Sequence, residues 1–302
     1  MTVPSSDGKH KLFGRVFLPV DLSKAKGIFQ TVHGMTEHSG RYTGFLTEMA
    51  NNGYIAFAFD NLGHGHTAAD QSQLGFIAHK DGWKYLVNDV AIFYDAVRGK
   101  YDREGKLPYY LLGHSMGSFI VRCAALNTCF PDKLIVMGTG GPNPASGFGI
   151  AAANVICALK GDRYVSGALD RLIFGNFNRN FRSENDNRSW LSTNGSNREK
   201  YKEDGLCGFK FSASALRDLI TLNDEANSRK WFLGMKDRMP VLLLSGSDDP
   251  VGGCGKAVTV VCERLNAAGA RAEIKLYKGA RHEILNDFCH DAVVRDILDF
   301  IS

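Results

Sequence analysis

The chain reads as an α/β protein: a mostly parallel, doubly wound sheet covered by helices on both faces, with a helical segment inserted before its last strands. Three observations predict it. Short apolar or β-branched runs alternate with helix-like segments along most of the 302 residues, the pattern of strands joined by crossover helices. Most runs are apolar throughout, as strands buried on both faces require. The alternation then breaks between residues 142 and 214, a gap too long for a structureless loop in a compact domain.

Strands are expected at residues 12–18, 27–32, 54–59, 109–112, 134–137, 241–244 and 273–277. Most are short runs with turn-forming residues at their ends, such as His33-Gly34 after the second and Asn52-Gly53 before the third. Helices are expected between them at 42–51, 83–101, 116–127, 256–268 and 291–301. Inside the gap, 150–159 and 167–174 are weakly apolar and helix-like, and 176–202 is rich in Asn, Arg and Ser. The expected division is a core of residues 1–141 and 215–302 with an inserted helical cap at 142–214.

Composition narrows the function classes. Hydrophobic residues at 44% and charged residues at 23% are ordinary for a water-soluble domain. A net charge of +4 without a basic tract argues against dedicated nucleic-acid binding and allows a weak leaning toward anionic surfaces. The 7 cysteines are odd in number and form no Cys-x-x-Cys pair, so buried free thiols in a reducing compartment are expected. No basic start followed by an apolar stretch opens the chain, and no apolar run is long enough to span a bilayer. The cytoplasm is the expected location. Neither a Gly-x-x-x-x-Gly-Lys-Ser/Thr loop nor His-Glu-x-x-His occurs, so no cofactor and no metal are expected.

Gly113-His114-Ser115-Met116-Gly117 follows the apolar run 109–112 and precedes a helical segment. That is the setting of a nucleophile elbow, in which a strained strand-to-helix turn lifts a serine hydroxyl above the sheet. A serine needs a base within hydrogen-bond reach, oriented by a third group, and such groups sit on loops at the carboxyl ends of strands. The loop after 241–244 offers Asp248 and Asp249, and the loop after 273–277 offers His282. His290 is the other histidine beyond that acid, but it stands at a helix start. Between the two aspartates, Asp249 is favoured because Pro250 fixes the departing backbone, while Asp248 suits a turn. Oxyanion donors are expected from the backbone N–H of Met116 and from the loop His33-Gly34-Met35, with the Met35 N–H as the natural candidate. His33 is expected to brace that loop.

Beyond the elbow, several segments resemble one family. His33-Gly34-Met35-Thr36-Glu37-His38-Ser39-Gly40-Arg41-Tyr42 resembles the HGxxEHSGRY signature of the monoacylglycerol lipase and lysophospholipase group of α/β-hydrolases. Asp60 to Thr67 is similar to its D-x-x-G-H-G-x-S/T loop, Gly113 to Ser118 to its GHSMGS elbow, and Gly246 to Gly252 to its G-S-x-D-P-V-G acid loop. Asp204-Gly205-Leu206-Cys207-Gly208-Phe209 is similar to a D-P-L-C-G-F stretch, with Gly205 in place of proline. The resemblance implies an α/β-hydrolase fold, a Ser115–His282–Asp249 triad, an acyl-enzyme and a small-molecule acyl ester as substrate. It leaves the substrate within the class open: monoacylglycerol or lysophospholipid esters, or the small esters and thioesters of a carboxylesterase or thioesterase. A non-catalytic ligand-binding protein would need a broken triad or a blocked elbow, and the sequence has neither. Phe148, Ile150, Val155, Ile156, Leu159, Leu169, Leu172, Ile173 and Phe174 are candidates to line an acyl tunnel, and the cap is expected to touch lipid aggregates transiently.

Overall fold

The computed structural model describes residues 1–302. Its strands are β1 (Thr2–Pro4), β2 (Lys11–Phe17), β3 (Gly27–Val32), β4 (Tyr54–Phe59), β5 (Tyr109–His114), β6 (Lys133–Met137), β7 (Pro240–Gly246) and β8 (Arg271–Tyr277). They form one sheet in the order β1-β2-β4-β3-β5-β6-β7-β8. The β1–β2 and β2–β4 pairings are antiparallel, and every pairing from β4 to β8 is parallel. The carboxyl ends of β3, β5, β7 and β8 therefore share one edge, where the loops carrying the candidate residues converge.

The helices are α1 (Thr43–Asn51), α2 (Gly82–Tyr101), α3 (Met116–Asn127), α4 (Ser146–Lys160), α5 (Gly167–Phe174), α6 (Gly195–Glu203), α7 (Ala213–Ala226), α8 (Arg229–Gly234), α9 (Lys256–Ala267) and α10 (His290–Ile301). Strand side chains alternate between two cores because their period is two. Ile28, Val32, Phe57, Phe59, Leu111, Val136 and Leu243 pack with α2, α3, α7, α8 and α9, while Phe29, Ala58, Leu112, Ile135 and Leu244 pack with α1 and α10. Both sets are apolar, which is why the central strands show no polar alternation.

Two helices beyond those read from the alternation, α7 and α8, lie between the gap and β7. Each begins at a serine whose hydroxyl accepts a backbone N–H: Ser212 from Ala215 at 3.2 Å and Ser228 from Trp231 at 3.1 Å. The expected cap boundary at residue 214 falls in the first turn of α7, a helix that packs on α4 of the insert and on α2 and α3 of the core. The three-residue β1 was too short to leave a signal. No helix is long and apolar enough to cross a membrane.

Candidate active site

Ser115 stands at the β5–α3 junction with φ 54° and ψ −120°, a backbone region that costs a non-glycine residue energy and is held only by its surroundings. Its amide donates to Met137 O at 2.9 Å, tying the turn to β6. The flanking glycines are required by space. A Cβ on Gly113 would lie 2.3 Å from Gly117 O, and one on Gly117 would lie 2.1 Å from Val32 O.

His282 and Asp249 are brought together from the β8 and β7 loops. His282 Nδ1 lies 3.0 Å from Asp249 Oδ2, and both side chains are buried. The other oxygen of Asp249 accepts the Val251 N–H at 2.9 Å, which fixes the carboxylate's orientation. Asp248 is exposed and accepts the Ser247 hydroxyl at 2.8 Å, a turn contact. His290 accepts no such role: it spans Leu285 O and Glu48 on the far side of α10. Ser115 and His282 line one cavity of about 790 Å³.

The loop after β3 lies against the serine. A Cβ on Gly34 would be 3.0 Å from Ser115 Cβ and 2.8 Å from Glu37 Oε1, so glycine lets the loop sit this close without displacing either. Neither the Met35 nor the Met116 amide donates to any protein acceptor in a turn, loop or cap. The peptide between Gly34 and Met35 is aimed by His33, whose Nδ1 lies 2.7 Å from Gly34 O while its Nε2 accepts the Asn61 N–H at 2.9 Å. Because Nε2 accepts an N–H, the ring is neutral and Nδ1 is the donor, and burial lowers the His33 pKa in the same direction against the raising charges of Glu37 and Asp60. The β4 loop is held by Asp60, which accepts the Ser39 and His66 amides at 2.8 Å each. Gly65 must be glycine there, because a Cβ would meet Asp60 Oδ2 at 2.2 Å.

A polar network that the sequence reading did not assemble ties these loops together. Glu37 accepts the Gly34 amide at 2.7 Å, the Tyr42 hydroxyl at 2.8 Å and Arg41 at 2.8 Å, and faces His114 Nδ1 at 3.2 Å. Arg41 continues to both oxygens of Glu283 at 2.7 and 2.8 Å, the residue after His282. Burial alone would lower the His114 pKa; the hydrogen bond and charge of Glu37 outweigh it and raise it. Burial would raise Glu37, yet His114 and Arg41 hold it well below the usual carboxylate range. The spacing of Glu37 and Arg41 on one short loop was a visible signal; Glu283 could be found only from the fold.

The insert closes over this edge. Tyr201 of α6 reaches Thr36 O at 3.0 Å, Gly208 N donates to Thr36 O at 2.9 Å, and Trp190 lies with its ring centroid 5.1 Å from that of His282. Of the nine tunnel candidates, Phe148, Leu172, Ile173 and Phe174 line the cavity. Leu169 is buried in the core, Ile156 packs against it without reaching the cavity, Val155 and Leu159 face solvent, and Ile150 is partly buried away from the cavity. Phe177, Trp190, Leu191, Phe209, Leu219 and Ile220 also line it. Three of these come from the irregular polar stretch, where no helical period marked them.

His38, Asp204 and Cys207 bring potential metal-ligand atoms within 4.8 Å of one another. His38 Nδ1 accepts the Gly40 amide at 3.2 Å, so Nε2 carries the proton toward Asp204 at 2.8 Å. These contacts make the group a tie between the β3 loop and the insert.

The chain matches the family model described as "Serine aminopeptidase, S33" over residues 23–288. It is 26% identical to the monoglyceride lipase of Homo sapiens over 298 residues, covering 95% of this chain and 86% of that protein. An uncharacterised abhydrolase domain-containing protein of Dictyostelium discoideum is 23% identical over 279 residues, which are 90% of this chain but 26% of that longer one. Among solved structures, a thermostable carboxyl esterase from Bacillus coagulans in complex with glycerol superposes with a TM-score of 0.92 at 26% identity, over 100% of this chain and 96% of that one.

Proposed function

From the premise that the chain belongs to the serine aminopeptidase S33 family of α/β-hydrolases, we propose that it cleaves monoacylglycerol- or lysophospholipid-type esters through an acyl-enzyme on Ser115. It is a carboxylic ester hydrolase, resembling monoglyceride lipase and carboxyl esterase relatives over nearly its whole length. The observation that carries the residue assignment is the buried Asp249–His282 hydrogen bond at 3.0 Å beside a strained Ser115 on one largely apolar cavity.

In this reading His282 Nε2 takes the Ser115 proton as Oγ attacks the ester carbonyl. The developing oxyanion is met by the Met35 and Met116 N–H groups, each of which is worth about 3 kcal/mol of transition-state stabilisation. Asp249 keeps the imidazole in the tautomer that presents Nε2 and stabilises the imidazolium. His282 then protonates the leaving alcohol, and after the alcohol departs it activates water against the acyl-enzyme.

The substrate reading rests on the insert, which we assign as the cap at residues 142–214. Phe148, Leu172, Ile173 and Phe174 from the cap, with Leu219 and Ile220 of α7, give an apolar arm suited to an acyl chain. Phe148, Val155, Leu159 and Leu172 are exposed large apolar side chains on α4 and α5, which suits transient contact with a lipid aggregate. A chain-length series on glycerol monoesters tests this: activity should peak at a medium or long acyl chain, and Leu172→Asp should shift that optimum more than it harms p-nitrophenyl acetate turnover. A preference for acetate or butyrate that falls steadily with length would instead support the carboxylesterase reading, which the carboxyl esterase neighbour favours.

A further inference from the structure

We propose that Arg188 is an anion anchor, through which this cavity favours esters whose alcohol portion carries a negative charge. The inference rests on the ester-hydrolase reading and specifies the substrate class within it.

Arg188 lines the cavity and is half-buried, yet its guanidinium takes part in no ion pair and no hydrogen bond. Only its backbone is engaged: the amide donates to Asp186 Oδ1 at 2.9 Å, and the carbonyl accepts from Leu191 at 2.9 Å. The charges around it are already matched. Asp186 is taken by Arg198 Nε at 2.7 Å, and Glu184 by Arg281 and Arg198. On the cavity wall Lys210 is bound to Asp170 at 2.8 Å, and Glu37 and Glu283 hold Arg41 between them. Arg188 is thus the cation on the wall with no ion-pair partner, its one acidic neighbour, Asp186, being bound to Arg198. A half-buried guanidinium has lost part of its hydration, and it presents five N–H donors in a fork that matches phosphate or carboxylate geometry.

Its position suits the leaving-group side. A Cβ on Gly208 would lie 3.9 Å from Arg188 NH2, and Gly208 is bonded to Thr36, next to the candidate oxyanion donor Met35. Two residues on, the Trp190 ring lies tilted against His282, the group that protonates the departing alcohol. Phe148 of α4 with Leu219 and Ile220 of α7 give the same cavity an apolar wall. An ester seated with its acyl chain there carries its alcohol toward Arg188.

The chemistry recognised is an oxyanion on a short alcohol, from either a phosphate or a carboxylate. The test uses short-chain esters below their micelle threshold, so that surface charge plays no part. Monooctanoylglycerol, the matching octanoylglycerol phosphate and an octanoyl ester of a hydroxy acid are compared with wild type, Arg188→Gln and Arg188→Lys. Arg188→Gln should lower the kcat/KM ratio of the phosphate ester to the neutral ester roughly ten- to hundredfold, mainly through KM. Arg188→Lys should restore part of the ratio, and glycerol 3-phosphate should inhibit wild type competitively but not the Gln variant. A larger ratio change for the phosphate than for the carboxylate ester names the source. An unchanged ratio, with both folded variants showing wild-type melting temperatures, overturns the proposal. Absence of hydrolysis of all three esters by wild type would overturn the ester-hydrolase reading itself.

Discussion

Replacing His33 by asparagine and by glutamine, separately, tests how the oxyanion loop is aimed. Asn61 donates its backbone N–H to His33 Nε2 at 2.9 Å, so Nε2 is the acceptor and Nδ1 carries the proton to Gly34 O at 2.7 Å. The peptide is planar and trans, so its C=O and N–H point in opposite directions. Holding the Gly34 carbonyl toward His33 turns the Met35 N–H to the other side, where Gly34 stands against Ser115. Asparagine places an N–H where Nδ1 was and drops the acceptor; glutamine keeps an acceptor near Nε2 and drops the donor to Gly34. His33→Gln should therefore lower kcat by about 10²- to 10³-fold with KM nearly unchanged, because the lost donor acts in the transition state. His33→Asn should keep kcat within about fivefold yet lose about 1–3 kcal/mol of stability, because the buried Asn61 amide loses its partner. Turnover of p-nitrophenyl butyrate and urea unfolding of both variants supply the two readouts. Equal losses of kcat in the two variants, or kcat falling in step with stability, would refute the reasoning.

Two further outcomes follow from the same geometry. Asp249→Asn should cost about 10⁴-fold in kcat by spoiling the His282 tautomer, whereas Asp248→Asn should stay within a few-fold of wild type; steady-state kinetics showing the reverse would move the acid to Asp248. Burial pushes the Asp218 carboxyl up to about 7 against the lowering effect of Arg217 and the α2 N-terminal amides, and its Oδ2 has no hydrogen-bond partner. The folded pKa exceeds the unfolded value of about 3.9, so the native state holds the extra proton. Stability from this group is full below about pH 4, declines as pH rises toward 7 and levels off above. Asp218→Asn should raise Tm relative to wild type more at pH 8 than at pH 4.5, and an equal shift at both would count against this account.

Much of this arrangement was legible because it depends on local sequence. The elbow glycines are forced by contacts with Gly117 O and Val32 O, so Gly-x-Ser-x-Gly leaves a trace that spacing alone exposes. The central strands are apolar on both faces and stand out as uninterrupted runs. What stayed hidden depends on approach between distant segments. Glu283 acquires its role only when β8 brings it to Arg41, and Trp190 only when an irregular stretch folds onto His282. Leu169, Ile156 and Ile173 are equally apolar and all pack on the core, but of the three only Ile173 also reaches the cavity, a difference set by its place on the helix. The α7 and α8 caps at Ser212 and Ser228 were visible signals that the strand–helix rhythm had masked.

The central claim is that Ser115 is the nucleophile of an acyl-transfer site. The most direct measurement is intact-protein and peptide mass spectrometry after exposure to a fluorophosphonate, with Ser115→Ala as the control. One adduct per chain located on Ser115, with both labelling and ester hydrolysis lost in Ser115→Ala, is the predicted result. Labelling elsewhere, or a folded Ser115→Ala protein that hydrolyses esters at the wild-type rate, would contradict it.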